Sequence, residues 1–198
     1  MLNQLIKSSL RLACFLVVYF SIVSLVNADD VLQLKIMTQK GKAEVLIKLL
    51  PEVAPKHIER IKTLANAGEY DNATFHRVIP GFMAQTGDVA FGKKDSYNDS
   101  KAGTGGSNYE DLYAELSEIP FKAGVVGMAR QRYIHSANSQ FFIMTSYHPN
   151  LNGRYTVVGV VLEGLDYIKQ LKAGNQDKEQ GKVTNPDYII SAKIISQS

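Results

Sequence analysis

Phe75-His76-Arg77-Val78-Ile79-Pro80-Gly81-Phe82-Met83-Ala84-Gln85-Thr86-Gly87-Asp88 is the most informative stretch of this chain. Thr74 to Ile79 reads as a strand that ends at Pro80-Gly81, a strong turn signal. Strand alternation puts Phe75, Arg77 and Ile79 on one face. A cation between two large apolar residues is costly unless it is paired or belongs to a site. On the residues alone, an edge strand with Arg77 in a salt bridge and a functional arginine are equally good accounts.

Outward from this stretch the chain is a run of short strands. Val31 to Met37 alternates as a half-buried strand does, and Lys42 to Leu50 reads as its hairpin partner across Gln39-Lys40-Gly41. Pro51 ends that strand, and Pro55 opens a helix. Its apolar stripe is Ile58, Ile61, Leu64 and Ala65, with Gly68 as the stop. Gly87 to Ser107 is a long polar, Gly-rich loop, a kind of segment that is often functional. Gly124 to Ala129, Gln140 to Thr145, Thr156 to Val161 and Tyr188 to Ile195 are further strands, and Leu162 to Leu171 is a second, short helix. Many short strands with two helices predict a β-rich barrel or sandwich.

The chain has 198 residues, 45% apolar and 21% charged, which fits one globular domain. Lys7 and Arg11 precede an apolar run from Leu12 to Val26, and Val26-Asn27-Ala28 follows with a small residue at its end. This is the pattern of a secretory signal peptide, expected to be cleaved after Ala28, with residues 29–198 as the mature domain. The alternative is an uncleaved anchor, for which the run is short. The expected destination is the periplasm, or secretion. Residues 29–198 carry 20 basic and 19 acidic side chains, a balance that does not favour a nucleic-acid binder. The only cysteine, Cys14, leaves with the signal, so the mature core stands without disulfides.

Catalytic signatures are otherwise few. His57, His76, His135 and His148 show no zinc-hydrolase spacing, there is no GxSxG elbow, and Gly103-Thr104-Gly105-Gly106-Ser107 lacks the P-loop lysine. Taken singly, Phe82, Phe142 and Leu151 read as core and Met83 as a gap-filler. By the same token Gln85 and Gln140 read as surface, and Tyr155 as a strand residue.

Taken together they read differently. The stretch from Phe75 to Asp88 resembles the signature of the cyclophilin family of peptidyl-prolyl cis-trans isomerases. So do Gly127-Met128-Ala129-Arg130 with Ser139-Gln140-Phe141-Phe142-Ile143, Leu151 to Gly159, and Gly103 to Gly106. The resemblance is collinear over Val31 to Ile195. It implies a mainly β fold, a closed eight-stranded antiparallel β-barrel capped by two α-helices. It implies Arg77 as the catalytic residue. Phe82, Met83, Phe142 and Leu151 would line a proline pocket, Gln85 would hold the substrate backbone, and Gln140 would help position the substrate or Arg77. Ala129 would sit on the peptide groove, and Tyr155, also counted with the substrate-binding residues, would stand where many members carry His. No metal and no cofactor are implied. The implied partners are proline-containing polypeptides and unfolded client proteins, served by a monomer. A peptide-binding module using the same groove without turnover is the competing account.

Three departures from the family pattern stand out. Asn150 stands where many members carry Trp, and the chain has no Trp, so weak or no cyclosporin binding is expected. Arg130 to Ala137 replaces a small, polar segment, and Arg132 or Tyr133 is expected to narrow the adjoining pocket in favour of acidic or small residues. Thr86 follows Gln85 where Gly is common, which raises the question of a positive φ there.

Overall fold

The computed structural model describes residues 29–175 and 180–197; the expected signal peptide, residues 1–28, lies outside the described residues. Eight strands form one antiparallel sheet: β1 (Asp29–Thr38), β2 (Gly41–Leu49), β3 (Arg77–Ile79), β4 (Met83–Thr86), β5 (Val125–Arg130), β6 (Ala137–Met144), β7 (Val157–Glu163) and β8 (Tyr188–Gln197). Their order across the sheet is β3-β4-β6-β5-β7-β2-β1-β8. Two helices, α1 (Pro55–Asn66) and α2 (Leu165–Lys169), complete the fold.

The closed barrel expected from the resemblance is corrected to a half-barrel, because β3 and β8 end the sheet and do not pair as strands. The reason lies in the chain leading into β8. Its residues take the free edge of β3 first: Val78 N–H donates to Gly181 O at 2.8 Å and Val183 N–H to His76 O at 2.9 Å. Only the segment before β3 reaches β8, through an isolated bridge between Thr74 and Tyr188. An edge covered in this way is no longer a template for another strand.

Alternation along the central strands sorts their side chains to two faces. On β6, Phe141 and Ile143 join the main core, while Phe142 and Met144 join a second cluster. Val126 and Met128 of β5, Ala84 of β4 and Val158 of β7 face the first; Val125, Met83 and Val157 face the second. The main core also takes the stripe of α1, whose Ile58, Ile61, Leu64 and Ala65 are buried as the periodicity predicts. The alternation expected over Phe75, Arg77 and Ile79 is interrupted. Phe75 lies in the main core with Val78, and Ile79 packs on the second cluster, because the strand begins only at Arg77.

β4 is a four-residue strand that the sequence reading did not separate from the turn at Pro80-Gly81. α2 is shorter than expected, since Leu162 belongs to β7. Gly164 divides the two with a φ of +87°, and a Cβ there would meet Glu44 O at 2.3 Å. Thr86 needs no such freedom; Gly87 carries the positive φ, and the buried Thr86 hydroxyl donates to Thr74 O at 2.9 Å.

α1 has no side-chain cap of its own. The carboxylate of Glu115, 49 residues beyond the helix end at Asn66, accepts the backbone N–H groups of Lys56 and His57 at 3.2 and 3.1 Å. It also lies 2.6 Å from Nδ1 of the buried His57. Negative charge at a helix N-terminus is favourable, so Glu115 does the work of a cap from a distant loop. Burial alone would raise its pKa, but the bonds from His57 and Lys56 outweigh that and hold it low.

His57 and His76 are both buried, and burial pushes each below the ordinary value of 6.5. The unfolded chain therefore binds protons that the folded one excludes. The stabilising effect is complete above about pH 6.5 and is lost as pH falls through that value toward the folded pKa values. Thermal unfolding followed by circular dichroism should show Tm falling between pH 7 and pH 5. A Tm that is flat across that range would contradict neutral buried imidazoles.

Candidate active site

The second cluster does not close over. On the face of the sheet away from the main core it leaves a pocket of about 120 Å³. Strand register builds its floor: Arg77 lies opposite Gln85 across β3 and β4, Gln85 opposite Phe142 across β4 and β6, and Phe142 opposite Gly127 across β6 and β5. Met83, Phe82, Leu151 and Tyr155 complete the walls, with Ala129 and Arg130 at the end of β5. Eight of the nine residues singled out from sequence therefore share one pocket. Gln140 lies instead on the wall of a neighbouring cavity of about 490 Å³, which shares Gln85, Ala129 and Arg130 with the first.

Aromatic contacts fix the pocket's shape. Phe142 stacks on Phe121 with ring centroids 5.7 Å apart and meets Tyr155 edge-on at 5.6 Å. Phe121 is placed in turn by Asn152, whose Oδ1 accepts its N–H at 2.8 Å. Leu151 sits at the end of a 3₁₀ turn, Pro149–Leu151, and is buried. Phe82 packs on His148 at 4.4 Å. Gly81 makes the turn before Phe82 with a φ of +72°, and its carbonyl lies 3.0 Å from His148 Nε2 and accepts the Ser146 hydroxyl.

A polar chain positions Arg77. Gln140 Nε2 donates to the carbonyls of Gly103 and Gly105 at 3.1 and 2.7 Å, which turns Gln140 Oε1 toward Gln85. Gln85 Nε2 donates to that oxygen at 2.8 Å, so Gln85 Oε1 faces Arg77 Nη1, at 3.4 Å. Arg77 Nε donates to Gln180 O at 2.8 Å. The loop carbonyls that set this polarity are held by the buried Asp88, which accepts the N–H groups of Gly103 and Gly105 at 2.7 and 3.1 Å. Burial lowers the pKa of Arg77 from its ordinary value; an arginine nonetheless remains protonated. It sits on an edge strand, yet it forms no salt bridge among the described residues. The salt-bridge account of Arg77 is thus not supported.

Several contributors carried no assigned role in the sequence. Phe121 and His148 back the pocket from loops, where periodicity has no reach. Arg130 lies with its guanidinium 4.6 Å from the Tyr155 ring centre. It was legible only as the last residue of the Gly127-Met128-Ala129-Arg130 motif.

Known proteins similar to this chain point one way. The family described as "Cyclophilin type peptidyl-prolyl cis-trans isomerase/CLD" matches residues 33–194, and the chain belongs to it. A probable peptidyl-prolyl cis-trans isomerase of Brucella suis is 49% identical over 190 residues, covering 96% of each chain. Peptidyl-prolyl cis-trans isomerase B of Bacillus subtilis is 38% identical over 138 residues, covering 69% of this chain and 88% of its own. Among solved structures, a cyclophilin from Hirschia baltica aligns with a TM-score of 0.66 at 28% identity, over 83% of this chain and 73% of its own. A Cryptosporidium parvum cyclophilin-type isomerase, solved in the presence of the dipeptide Ala-Pro, aligns with a TM-score of 0.67 at 25% identity, over 84% and 99%. The chain is accordingly a peptidyl-prolyl cis-trans isomerase.

Gly127 is the sensitive point of the floor. A Cβ there would meet Phe121 Cε1 and Phe142 Cζ, each at 2.6 Å. Gly127→Ala should push both rings off their rotamers, cost about 1–3 kcal/mol of stability, and deform the pocket. Denaturant unfolding and a crystal structure of the variant would check this; an unchanged midpoint with unmoved rings would refute it.

Proposed function

We propose that Arg77 is the catalytic residue and that the small apolar pocket beside it takes the proline ring of a polypeptide. The observation that carries this is a guanidinium without a carboxylate partner among the described residues, at the wall of an apolar pocket of about 120 Å³. Such a volume is far below the roughly 300–1,000 Å³ of pockets that hold drug-sized ligands, and it suits one small ring.

The chemistry follows from amide resonance. Rotation about a peptide bond faces a barrier of ~18–20 kcal/mol, and the slow X-Pro bond limits folding steps. At the twisted geometry resonance is broken and a lone pair is localised on the prolyl nitrogen. Arg77 Nη2 makes no hydrogen bond among the described residues, whereas Nε and Nη1 are engaged. A donor held in this way can meet the lone pair, an interaction absent from both planar states. That is stabilisation of the transition state over the ground state. Phe82, Met83, Phe142 and Leu151 bury the ring, while Gln85, Gln140, Ala129 and Tyr155 contact the flanking chain.

We further infer that the protein assists the folding of proline-containing clients outside the cytoplasm, acting as a monomer. The support for export is the sequence of residues 1–28, and the near-even charge of residues 29–198 speaks against nucleic acid as a partner. Weak cyclosporin binding is the corresponding expectation for a chain with Asn150 and no Trp. Calorimetric titration would read it directly, and tight binding would refute it.

The test of the mechanism is isomerisation of an X-Pro tetrapeptide by the protein and by Arg77→Ala. The variant should lose roughly 10²–10³-fold in kcat/KM, the scale of one transition-state donor, with its circular dichroism spectrum and Tm little changed. Arg77→Lys should recover only part of the loss, because a lysine lacks the fixed fork. Full activity in a folded Arg77→Ala protein would remove Arg77 from the mechanism.

A further inference from the structure

This inference rests on the reading of the small pocket as the proline site. Beyond residue 28 the chain has 15 lysines and only five arginines. Four of those five lie in or beside the pocket: Arg77 and Arg130 by their side chains, Arg132 and Arg154 by the backbone carbonyls that hold Arg130. Arg77 and Arg130 line it. The Arg130 guanidinium donates to the carbonyls of Gln131 at 2.9 Å, Arg132 at 3.3 Å and Arg154 at 3.2 Å, so three arginine-bearing backbone positions converge on one wall. Arg132 and Arg154 are exposed.

None of the four forms an ion pair among the described residues, although Lys56, Lys62, Lys169 and Lys182 all do. Carbonyls hold the half-buried Arg130 in place without neutralising it. The one carboxylate lining the adjoining cavity, Asp111, does not line the small pocket and accepts from Asn138 Nδ2 at 3.1 Å. Arg130 thus stands where the two cavities meet, with Arg77 in the small pocket and Arg132 and Arg154 on the exposed surface beside it, while the rest of residues 29–198 is net acidic. Guanidinium forks match carboxylates in geometry as well as in charge.

We propose that Arg130, Arg132 and Arg154 form a cationic rim that selects polypeptide segments bearing an acidic side chain within two residues of the proline. Arg77 addresses the prolyl nitrogen, and the rim addresses the neighbouring residue. The rim sets substrate preference, not the rotation itself.

The experiment compares three sets of peptides carrying Glu, Gln or Lys at each of the two positions before proline and the one after it. Exchange is followed by NMR, so that no coupling protease adds its own specificity. At low salt the wild-type protein should turn over the best Glu peptide about fivefold or more faster, in kcat/KM, than its Lys counterpart. The ratio should shrink in 0.5 M salt as screening shortens to a few Å. In Arg132→Gln/Arg154→Gln it should fall to within about twofold of one. Equal Glu and Lys rates in the wild-type protein would overturn the rim. A Lys preference would overturn it too and point to Asp111. A Glu preference that survives the double substitution and high salt would likewise exclude these arginines. Failure to exchange even the Gln peptides is a different result: it overturns the proline-site reading, and the rim with it.

Discussion

The structure depends on one geometric constraint, the two-residue repeat of β6. Phe141 and Phe142 are neighbours in sequence, yet they serve opposite faces of one sheet. Phe141 fills the core against Tyr70, edge-on at 5.5 Å. Phe142 floors the pocket. A one-residue slip of β6 would exchange the two, exposing core and filling the pocket at once. The register against β4 and β5 is therefore specified from both sides, and rigidity of the site comes directly from stability of the fold.

A second constraint acts across the sheet. Arg77 is oriented through Gln85 and Gln140 by two carbonyls of the Gly-rich loop. Asp88, buried at the loop's base, accepts four backbone N–H groups, those of Ala90, Phe91, Gly103 and Gly105. The glycines earn their place by proximity: a Cβ on Gly105 would meet Asp88 Oδ1 at 2.3 Å. A flexible-looking composition thus encodes a fixed scaffold for a distant cation. His76 is buried beneath the same loop, where its ring lies against Gly103. Its burial ties the loop's packing to a neutral imidazole.

Much of this was legible in the sequence wherever one strand or helix carries its own period. The hairpin at Gln39-Lys40, the stripe of α1 and the strands around Val126, Phe142 and Val158 follow from local pattern. β4 was not legible, because four residues after a turn are too few for a period to show. The covered edge of β3 was not legible either, since it depends on Gly181 and Val183 arriving from about 100 residues away. Site residues were visible through motif resemblance more than through physics: Phe82, Phe142 and Leu151 have core-like character singly and become a pocket only by convergence. Phe121 and His148 act from loops that no sequence spacing reveals, and Arg130 was visible only as the end of a motif.

The pocket also explains why an arginine can stand on an apolar floor. Even a half-buried guanidinium such as that of Arg77 is costly when left bare, and a carboxylate partner is the usual remedy. Here neutral acceptors, the Gln180 carbonyl and Gln85 Oε1, satisfy part of the guanidinium while leaving its charge intact. A carboxylate in their place would hold the cation more tightly, but it would compete with any electron pair that develops in the pocket. Neutral ligation holds Arg77 in place while leaving its charge intact. Arg130, held by carbonyls on the opposite wall, repeats the same solution. The pocket thus combines apolar side chains with two guanidiniums, Arg77 from β3 and Arg130 from β5, each held by neutral acceptors.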